Sequence, residues 1–484
     1  MRTHSSILLI VASILGLLHA AAFILFWLTN SLFYAEVNNF LFSKLGRRLD
    51  YIRLTQAIAL FILVWNLILL LLLLHKRYQP GWGGWLYGVA LLCYLLFFYG
   101  SFWVLISESP VQWVRLWRMV GYFRLILDLI LLVGLVLLLR AVGGRLSEWN
   151  TPKIVLGTAC LLIYLFLWAL PLIYPPGSVY RNPLPPKPRL VAHRGASMLA
   201  PENTLASARK AQALAVAGLE ADIRVSLDGI LFLMHDGNLE RTTNVAEIFP
   251  ERINDRPESF TLAELRQLNA GEWFAQADPY RTIARGMVSP GEVQELKPEL
   301  IPTLAEVLDF LKANDLVFIF DILNPPPDHP FSAAFFEMCF SQIHQAGFDS
   351  RIWFLVKGDN KEVIVSSAPD MILAYGADYT DLPVAQRLAQ EGYQVLNVEY
   401  GFPLDQVTQF QQAGLKVNLY VVDEPWLFSQ AWLAGVDSST TNNAHTLAAL
   451  KHPVFGLTYA KYLWVWSLVG LVGLVWAFLS WVPR

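Results

Sequence analysis

The feature that most constrains this chain is its set of apolar runs about 20 residues long, because an α-helix of that length is what crosses the hydrocarbon core of a bilayer. Five precede a polar region, at Ile7 to Leu28, Leu54 to Leu74, Trp82 to Ile106, Met119 to Leu139 and Ile154 to Tyr174, and a sixth, Tyr462 to Val482, follows it. The first has Arg2 ahead of it and Ala20-Ala21-Ala22 within it, as a secretory leader would. Its apolarity continues through Phe23 to Leu28, beyond the usual length of a signal core, so a retained helix is expected. The fourth must include Arg124 and Asp128, four apart on one helical face and therefore expected to pair, with the arginine snorkelling outwards. Trp82, Trp85, Trp464, Trp466 and Trp481 crowd run ends as an aromatic belt does, and Gly470 and Gly473 permit close helix packing in the last run.

Composition agrees. Only 15% of residues are charged, against about a quarter in a typical soluble domain. A net charge of -3 supplies no basic field, so a nucleic-acid partner is excluded from the expectations. Cys93 and Cys160 lie in apolar runs and Cys339 stands alone in the polar region, which leaves no disulfide framework.

After the fifth run, Pro175-Pro176-Gly177 ends the helix and Pro183 to Pro188 is proline-rich and extended. Beyond it, short apolar runs alternate with helical patterns. The runs are Arg189 to Ala192, Leu219 to Val225, Val317 to Ile322, Ile352 to Val356, Ile372 to Tyr375, Val395 to Val398, Val417 to Val421 and Val436 to Thr440. Eight strands alternating with helices over roughly 265 residues predict an α/β fold of the TIM (β/α)8 barrel type, with an open doubly wound sheet as the competitor. The expected organisation is a five-helix transmembrane domain over 1–178, a proline-rich tether over 179–188, the barrel over 189–455 and a C-terminal transmembrane helix over 456–484. The barrel is thus inserted between membrane helices five and six.

In such a barrel, chemistry resides where strands end. The first strand ends in His193-Arg194-Gly195. The second carries Glu220-Ala221-Asp222, whose carboxylates share one side of the strand. Asp228-Gly229 then reads as a hairpin turn, and the run after it ends in His235-Asp236. Two carboxylates can hold a hard divalent cation, an arginine can neutralise phosphate, and two histidines can exchange a proton near neutral pH. Phosphodiester cleavage needs this set.

Those residues, with Pro201-Glu202-Asn203-Thr204 and Arg241-Thr242-Thr243 in order and spacing, resemble the glycerophosphodiester phosphodiesterase family. The likeness extends to Leu268 to Phe274, Asp328-His329-Pro330, Val417 to Tyr420 and Pro425 to Phe428, and the flanking helices resemble the six-transmembrane animal-type subgroup. The resemblance implies His193 and His235 as the acid/base pair, Arg194 as the phosphate ligand, and Glu220 and Asp222 as ligands of a divalent cation, Ca²⁺ or Mg²⁺. A third metal carboxylate comes in the family from a Glu-x-Lys at the next barrel strand. This chain has Asp321-Ile322-Leu323 there, so Asp321 is either a third ligand or a turn initiator, and Leu323 cannot replace the cationic lysine.

Other residues carry plainer expectations. Glu202 and Asn203 are expected to cap the first barrel helix and support the site from behind. His329 and His445 are expected to order loops. Trp273, Phe274 and Tyr420 are expected to pack, or else to line an apolar substrate rim. The substrate implied is a glycerophosphodiester of the glycerophosphocholine or glycerophosphoinositol type, or a lipid-derived phosphodiester such as a GPI anchor, with membrane lipids as the surroundings. A catalytically weak membrane receptor using the barrel for binding is the alternative from another class. With both termini cytoplasmic, the inner segments hold seven positive residues (Arg2, Lys76, Arg77, Arg140, Arg145, Lys153 and Arg484) against ten outside, a raw count that opposes this orientation. The inner loops are shorter and so denser in charge, and the subgroup resemblance implies an extracytoplasmic catalytic domain, which is the expectation.

Overall fold

The computed structural model of the chain describes residues 2–30, 49–74, 82–107, 110–143, 151–181, 183–356 and 359–479, with Tyr34, Asn38, Leu41 and Gly46. Trp481, Val482 and the loop charges Lys76, Arg77 and Arg145 lie outside the described residues. The chain divides into two compact units, Met1–Leu184 with Val454–Arg484, and Pro185–Pro453.

In the first unit, helices cover Arg2–Thr29, Tyr51–Leu74, Trp82–Ser107, Pro110–Gly143, Thr151–Ile173 and Tyr459–Leu479. Among the described residues, five contain spans long and apolar enough to cross a membrane, and the helix Thr151–Ile173 contributes the shorter apolar stretch Gly157–Ile173. Glycine decides how the last helix packs. At Gly470 a Cβ would lie 2.1 Å from the Trp168 indole nitrogen, and at Gly473 it would lie 2.5 Å from the Tyr164 hydroxyl. Without side chains there, Tyr164 Oη donates to the Gly470 carbonyl at 2.8 Å and Trp466 Nε1 donates to the Trp168 carbonyl at 2.8 Å. Arg124 Nε and Asp128 Oδ2 stand 3.3 Å apart. Strand β1 (Val179–Tyr180) lies inside the segment read as a tether, and it pairs in parallel with the later Leu457–Thr458.

The second unit is a closed barrel. Its strands are β2 (Arg189–His193), β3 (Gly218–Val225), β5 (Val317–Ile322), β6 (Ile352–Leu355), β7 (Ile372–Ala377), β8 (Val395–Glu399), β9 (Lys416–Tyr420) and β10 (Ser438–Thr441). Each pairs in parallel with its neighbour, and β10 returns to pair with β2, so the sheet closes. The short β4 (Leu231–Leu233) is antiparallel to β3, and Gly229 turns between them at a φ of 84°. All eight expected barrel strands are present, each bounded within two residues of its apolar run. Closure leaves none of the eight barrel strands at an edge, which an open sheet would have left to be covered.

The interior is layered. Val191, Ile319, Trp353, Ala374 and Val395 form one apolar cluster. Because side chains alternate along a strand, the residues two positions further on, His193, Asp321, Leu355, Gly376 and Asn397, point the same way and line a cavity above that layer. Polar interior groups are paired: Asn418 Nδ2 donates to Asn397 Oδ1 at 2.6 Å and to Thr440 Oγ1 at 2.9 Å.

Gly218 lets β3 and β5 meet in the register that matters, since a Cβ there would sit 2.5 Å from the Val317 carbonyl oxygen. Gly218→Ala should therefore destabilise the protein by about 1–3 kcal/mol through overpacking. A chemical-denaturation curve superimposable on wild type would show that the two strands can part at no cost.

Candidate active site

Strand register brings the acidic groups together. His193 is the Cα partner of Glu220 across β2 and β3, and Asp222 is the partner of Asp321 across β3 and β5. Glu220, Asp222 and Asp321 each offer an oxygen, and the three lie within 4.8 Å of one another. Burial, with Asp222 and then Asp321 nearby, pushes the Glu220 carboxyl well above its ordinary range. Asp321 is raised for the same reasons, burial first and Asp222 second. Three crowded, largely buried oxygen donors with no thiol or imidazole among them suit a hard divalent cation, which removes the repulsion that raises those two groups.

Arg194 is the counter-charge. It sits at a φ of 53°, followed by Gly195 at 80°, where a Cβ would lie 2.2 Å from Ser207 Oγ. That turn lets the Arg194 amide donate to Glu220 Oε2 at 3.1 Å while its side chain reaches Glu202 Oε1 at 2.9 Å and approaches Asp222 Oδ2 at 3.3 Å. Burial works against the guanidinium charge, but Asp222, Glu202 and Glu220 outweigh it and raise its pKa.

Each histidine has its Nδ1 engaged. His193 Nδ1 lies 2.7 Å from Asn442 Oδ1, and its Nε2 lies 3.7 Å from Glu220 Oε2. Burial and then the Arg194 charge lower the His193 pKa. His235 Nδ1 lies 2.8 Å from Asp236 Oδ1. Burial disfavours the Asp236 carboxylate, yet hydrogen bonds from His235 and Arg241 hold it well below the usual range. Arg241 also binds Glu202 through both Nη atoms, at 2.9 and 2.7 Å. Buried Glu202 therefore joins the Arg194 and Arg241 sides of the site, and those arginines hold its carboxyl low against the effect of burial.

His193, Arg194, Glu220, Asp222, His235 and Asp321, all six residues singled out in the sequence, line one cavity of about 720 Å³. Leu323 is not among its lining residues; β5 ends at Ile322, and the Leu323 amide donates to the Ile223 carbonyl at 3.1 Å. The capping expectation needs correction. Thr204 caps the helix Leu205–Ala213 and forms a capping box with Ser207. Asn203, at a φ of 55°, instead donates to Asp222 Oδ2 at 2.9 Å, because the left-handed turn aims its amide at the barrel mouth. Phe274 is buried in a core cluster and Trp273 stacks under the Arg241 guanidinium, whereas Tyr420 lines the cavity. His329 lies 3.2 Å from the Glu258 carbonyl and accepts from the Phe331 amide, so it orders its loop.

Some supporting residues escaped the sequence reading. Asn442 follows β10, and the strand-end rule could have found it. Arg224 could not have been found that way, since nothing in its local sequence announces a partner 34 positions on. It donates to the Met234 and His235 carbonyls at 3.0 and 2.7 Å and pairs with buried Glu258, which anchors the His235 loop.

The chain belongs to the glycerophosphoryl diester phosphodiesterase family, whose sequence model matches residues 193–446. It is accordingly a phosphoric diester hydrolase. It is 34% identical to the human glycerophosphoinositol inositolphosphodiesterase GDPD2 over 91% of this chain and 82% of that protein. It is 31% identical to the glycerophosphodiester phosphodiesterase domain-containing protein 5 of Gallus gallus over 91% of this chain and 74% of that protein. Among solved structures, a phosphodiesterase of Oleispira antarctica in complex with the product sn-glycerol-3-phosphate is 24% identical, at a TM-score of 0.44 over 54% of this chain and 95% of that one.

The Arg224 to Glu258 pair yields a stability test. Glu258→Ala leaves a buried guanidinium uncompensated and should cost about 3–5 kcal/mol. A drop below about 1 kcal/mol in denaturant unfolding would mean the arginine finds water or another acceptor.

Proposed function

We propose that the chain is a membrane-anchored, divalent-cation-dependent phosphodiesterase that cleaves glycerophosphodiesters, of which glycerophosphoinositol is the first candidate. The observation that carries this reading is the convergence of His193, Arg194, Glu220, Asp222, His235 and Asp321 on one cavity at the carboxyl ends of the barrel strands. The name of the human relative supports the inositol head group. Glu220, Asp222 and Asp321 would hold the cation, Ca²⁺ or Mg²⁺, which when bound neutralises charge on the phosphate oxygens.

The remaining work falls to the chain's own residues. Arg194, held on one side by Glu202, presents its positive charge to the phosphate. His193 and His235 each have Nδ1 occupied, so each offers Nε2 to the substrate. One takes the proton of the attacking group, either water or the substrate's own hydroxyl, and the other delivers a proton to the departing alcohol oxygen as its bond to phosphorus breaks; where the hydroxyl attacks, a cyclic phosphate forms first and water then opens it. Glycerol phosphate and an alcohol, or the corresponding head-group phosphate, result. Ile322, Phe336, Leu355 and Val421 add apolar surface to the cavity lining, which favours as second reading a substrate whose alcohol part is lipid-like.

The five long apolar helices support anchoring in a bilayer; a barrel outside the cytoplasm is supported by the higher density of positive charge in the shorter inner loops, although the outer segments hold more positive residues in total. Protease added to intact cells should degrade the barrel; full protection would reverse the orientation.

His193→Ala and His235→Ala should each lower kcat by about 10²–10⁴-fold in a folded protein. Substantial turnover in either variant would remove that histidine from the mechanism. Chelation should silence the purified chain and Ca²⁺ or Mg²⁺ should restore it, while Glu220→Gln with Asp222→Asn should abolish cation binding in calorimetry. Unchanged calorimetric binding in that double variant would place the cation elsewhere.

A further inference from the structure

Three neighbouring strand ends are wired to one another. His193 closes β2, Asn442 follows β10, and Asp423 lies three residues beyond β9; β10 pairs with both β2 and β9. Asp423 is an acceptor in every hydrogen bond recorded for its carboxylate. Its Oδ1 receives the Asn442 amide at 2.7 Å and Thr441 Oγ1 at 3.0 Å, and its Oδ2 receives Asn442 Nδ2 at 2.8 Å.

That arrangement decides which way the Asn442 side chain faces. Its nitrogen must meet the carboxylate, so its oxygen meets His193 Nδ1 at 2.7 Å and Ser197 Oγ at 2.8 Å. A carbonyl oxygen can only accept. The hydrogen of a neutral His193 ring therefore resides on Nδ1, and the lone pair resides on Nε2, the atom that faces Glu220.

We propose that Asp423 and Asn442 are positioning residues for the phosphodiesterase reaction: together they select the Nδ1–H tautomer of His193 and aim its Nε2 into the cavity. The inference rests on His193 being a proton-transfer group, as read above. It also accounts for an amide, rather than a carboxylate, against this ring. His235 is met directly by the Asp236 carboxylate. His193 stands among Glu220, Asp222 and Asp321, where one more adjacent negative charge would add to the repulsion already present. The Asn442 amide transmits direction from Asp423 while keeping the charge itself one side chain away. Both lone pairs of its oxygen are used, by His193 and Ser197, so the amide is held against rotation.

The test uses the full chain, purified in detergent, on the glycerophosphodiester it turns over fastest. Asn442→Leu fills the same space without an acceptor, and kcat should fall about 10²-fold, as expected of a misaimed catalytic group. KM should stay within about threefold, because substrate binding itself is untouched. The decisive variant exchanges the two partners, Asn442→Asp with Asp423→Asn. The new carboxylate accepts from His193 and Ser197, the new amide donates to it, and kcat should rise at least about tenfold above that of Asn442→Leu, the mark of two residues that act as one unit, while staying below wild type because the charge now stands beside the acidic cluster.

A folded Asn442→Leu variant with wild-type kcat overturns the proposal, and so does a folded exchange variant as slow as Asn442→Leu. If those variants do not fold, Asp423→Asn alone serves. It frees the Asn442 amide to present nitrogen to His193, so kcat should fall, and a wild-type kcat there overturns the proposal. His193→Ala separates the levels: an inactive His193→Ala beside a fully active Asn442→Leu rejects only this inference, whereas an active His193→Ala rejects the underlying mechanism too.

Discussion

Crowding three carboxylates within 4.8 Å inside a protein is unfavourable unless something offsets their charge, and the rest of the site follows from how that is done. Arg194 supplies part of the offset from a left-handed turn, using its backbone amide for Glu220 and its side chain for Asp222. Its other contact, Glu202, is shared with Arg241; Arg241 binds Asp236, and Asp236 binds His235. A chain of alternating charges thus runs from the acidic cluster to the second histidine. Removing any member unbalances its neighbours, so the groups are better regarded as a network than as separate catalytic residues.

The barrel makes this possible because each strand end is held by two neighbours. Glu220 and Asp222 share one side of β3, and register sets His193 opposite the first and Asp321 opposite the second. Gly218, four residues before Asp222, permits the close contact with β5 on which that register depends. Beneath His193, Asp321, Leu355, Gly376 and Asn397 lies the packed apolar cluster of Val191, Ile319, Trp353, Ala374 and Val395, which supports the lining side chains.

Two of the family's sequence motifs support the fold and are not among the residues lining the cavity. In Arg241-Thr242-Thr243, Thr243 Oγ1 donates to the Leu239 carbonyl at 2.6 Å and only the arginine reaches the charge network. In Leu268 to Phe274, Asn269 Oδ1 accepts from the amides of Gly271 and Glu272, and Gly271 has no room for a Cβ because the Leu296 carbonyl would lie 2.0 Å away. The helical unit shows the same economy, with Gly470 and Gly473 making way for Trp168 and Tyr164.

The eight strands, the strand-end histidines and the Glu220-x-Asp222 pair were legible from the sequence because each is a local signal: periodicity, turn residues, or two side chains on one face of a strand. Asp321 was legible as a candidate by its place at a strand end, but only register across β3 and β5 could bring it beside Asp222. The capping expected of Glu202 and Asn203 was a misreading, while their support of the site from behind was not: an acid and an asparagine before a helix look like caps, and nothing local reveals that a positive φ turns Asn203 toward Asp222. Asn442, Asp423, Arg224 and Glu258 are further still from sequence inference. Their partners lie on other strands and loops, and a hydrogen-bond partner tens to hundreds of residues away is chosen by closure of the barrel, not by its neighbours in the chain. The sequence by itself determined which residue types were available and where each strand would end; tertiary structure decided which nitrogen, oxygen and charge each of them would meet.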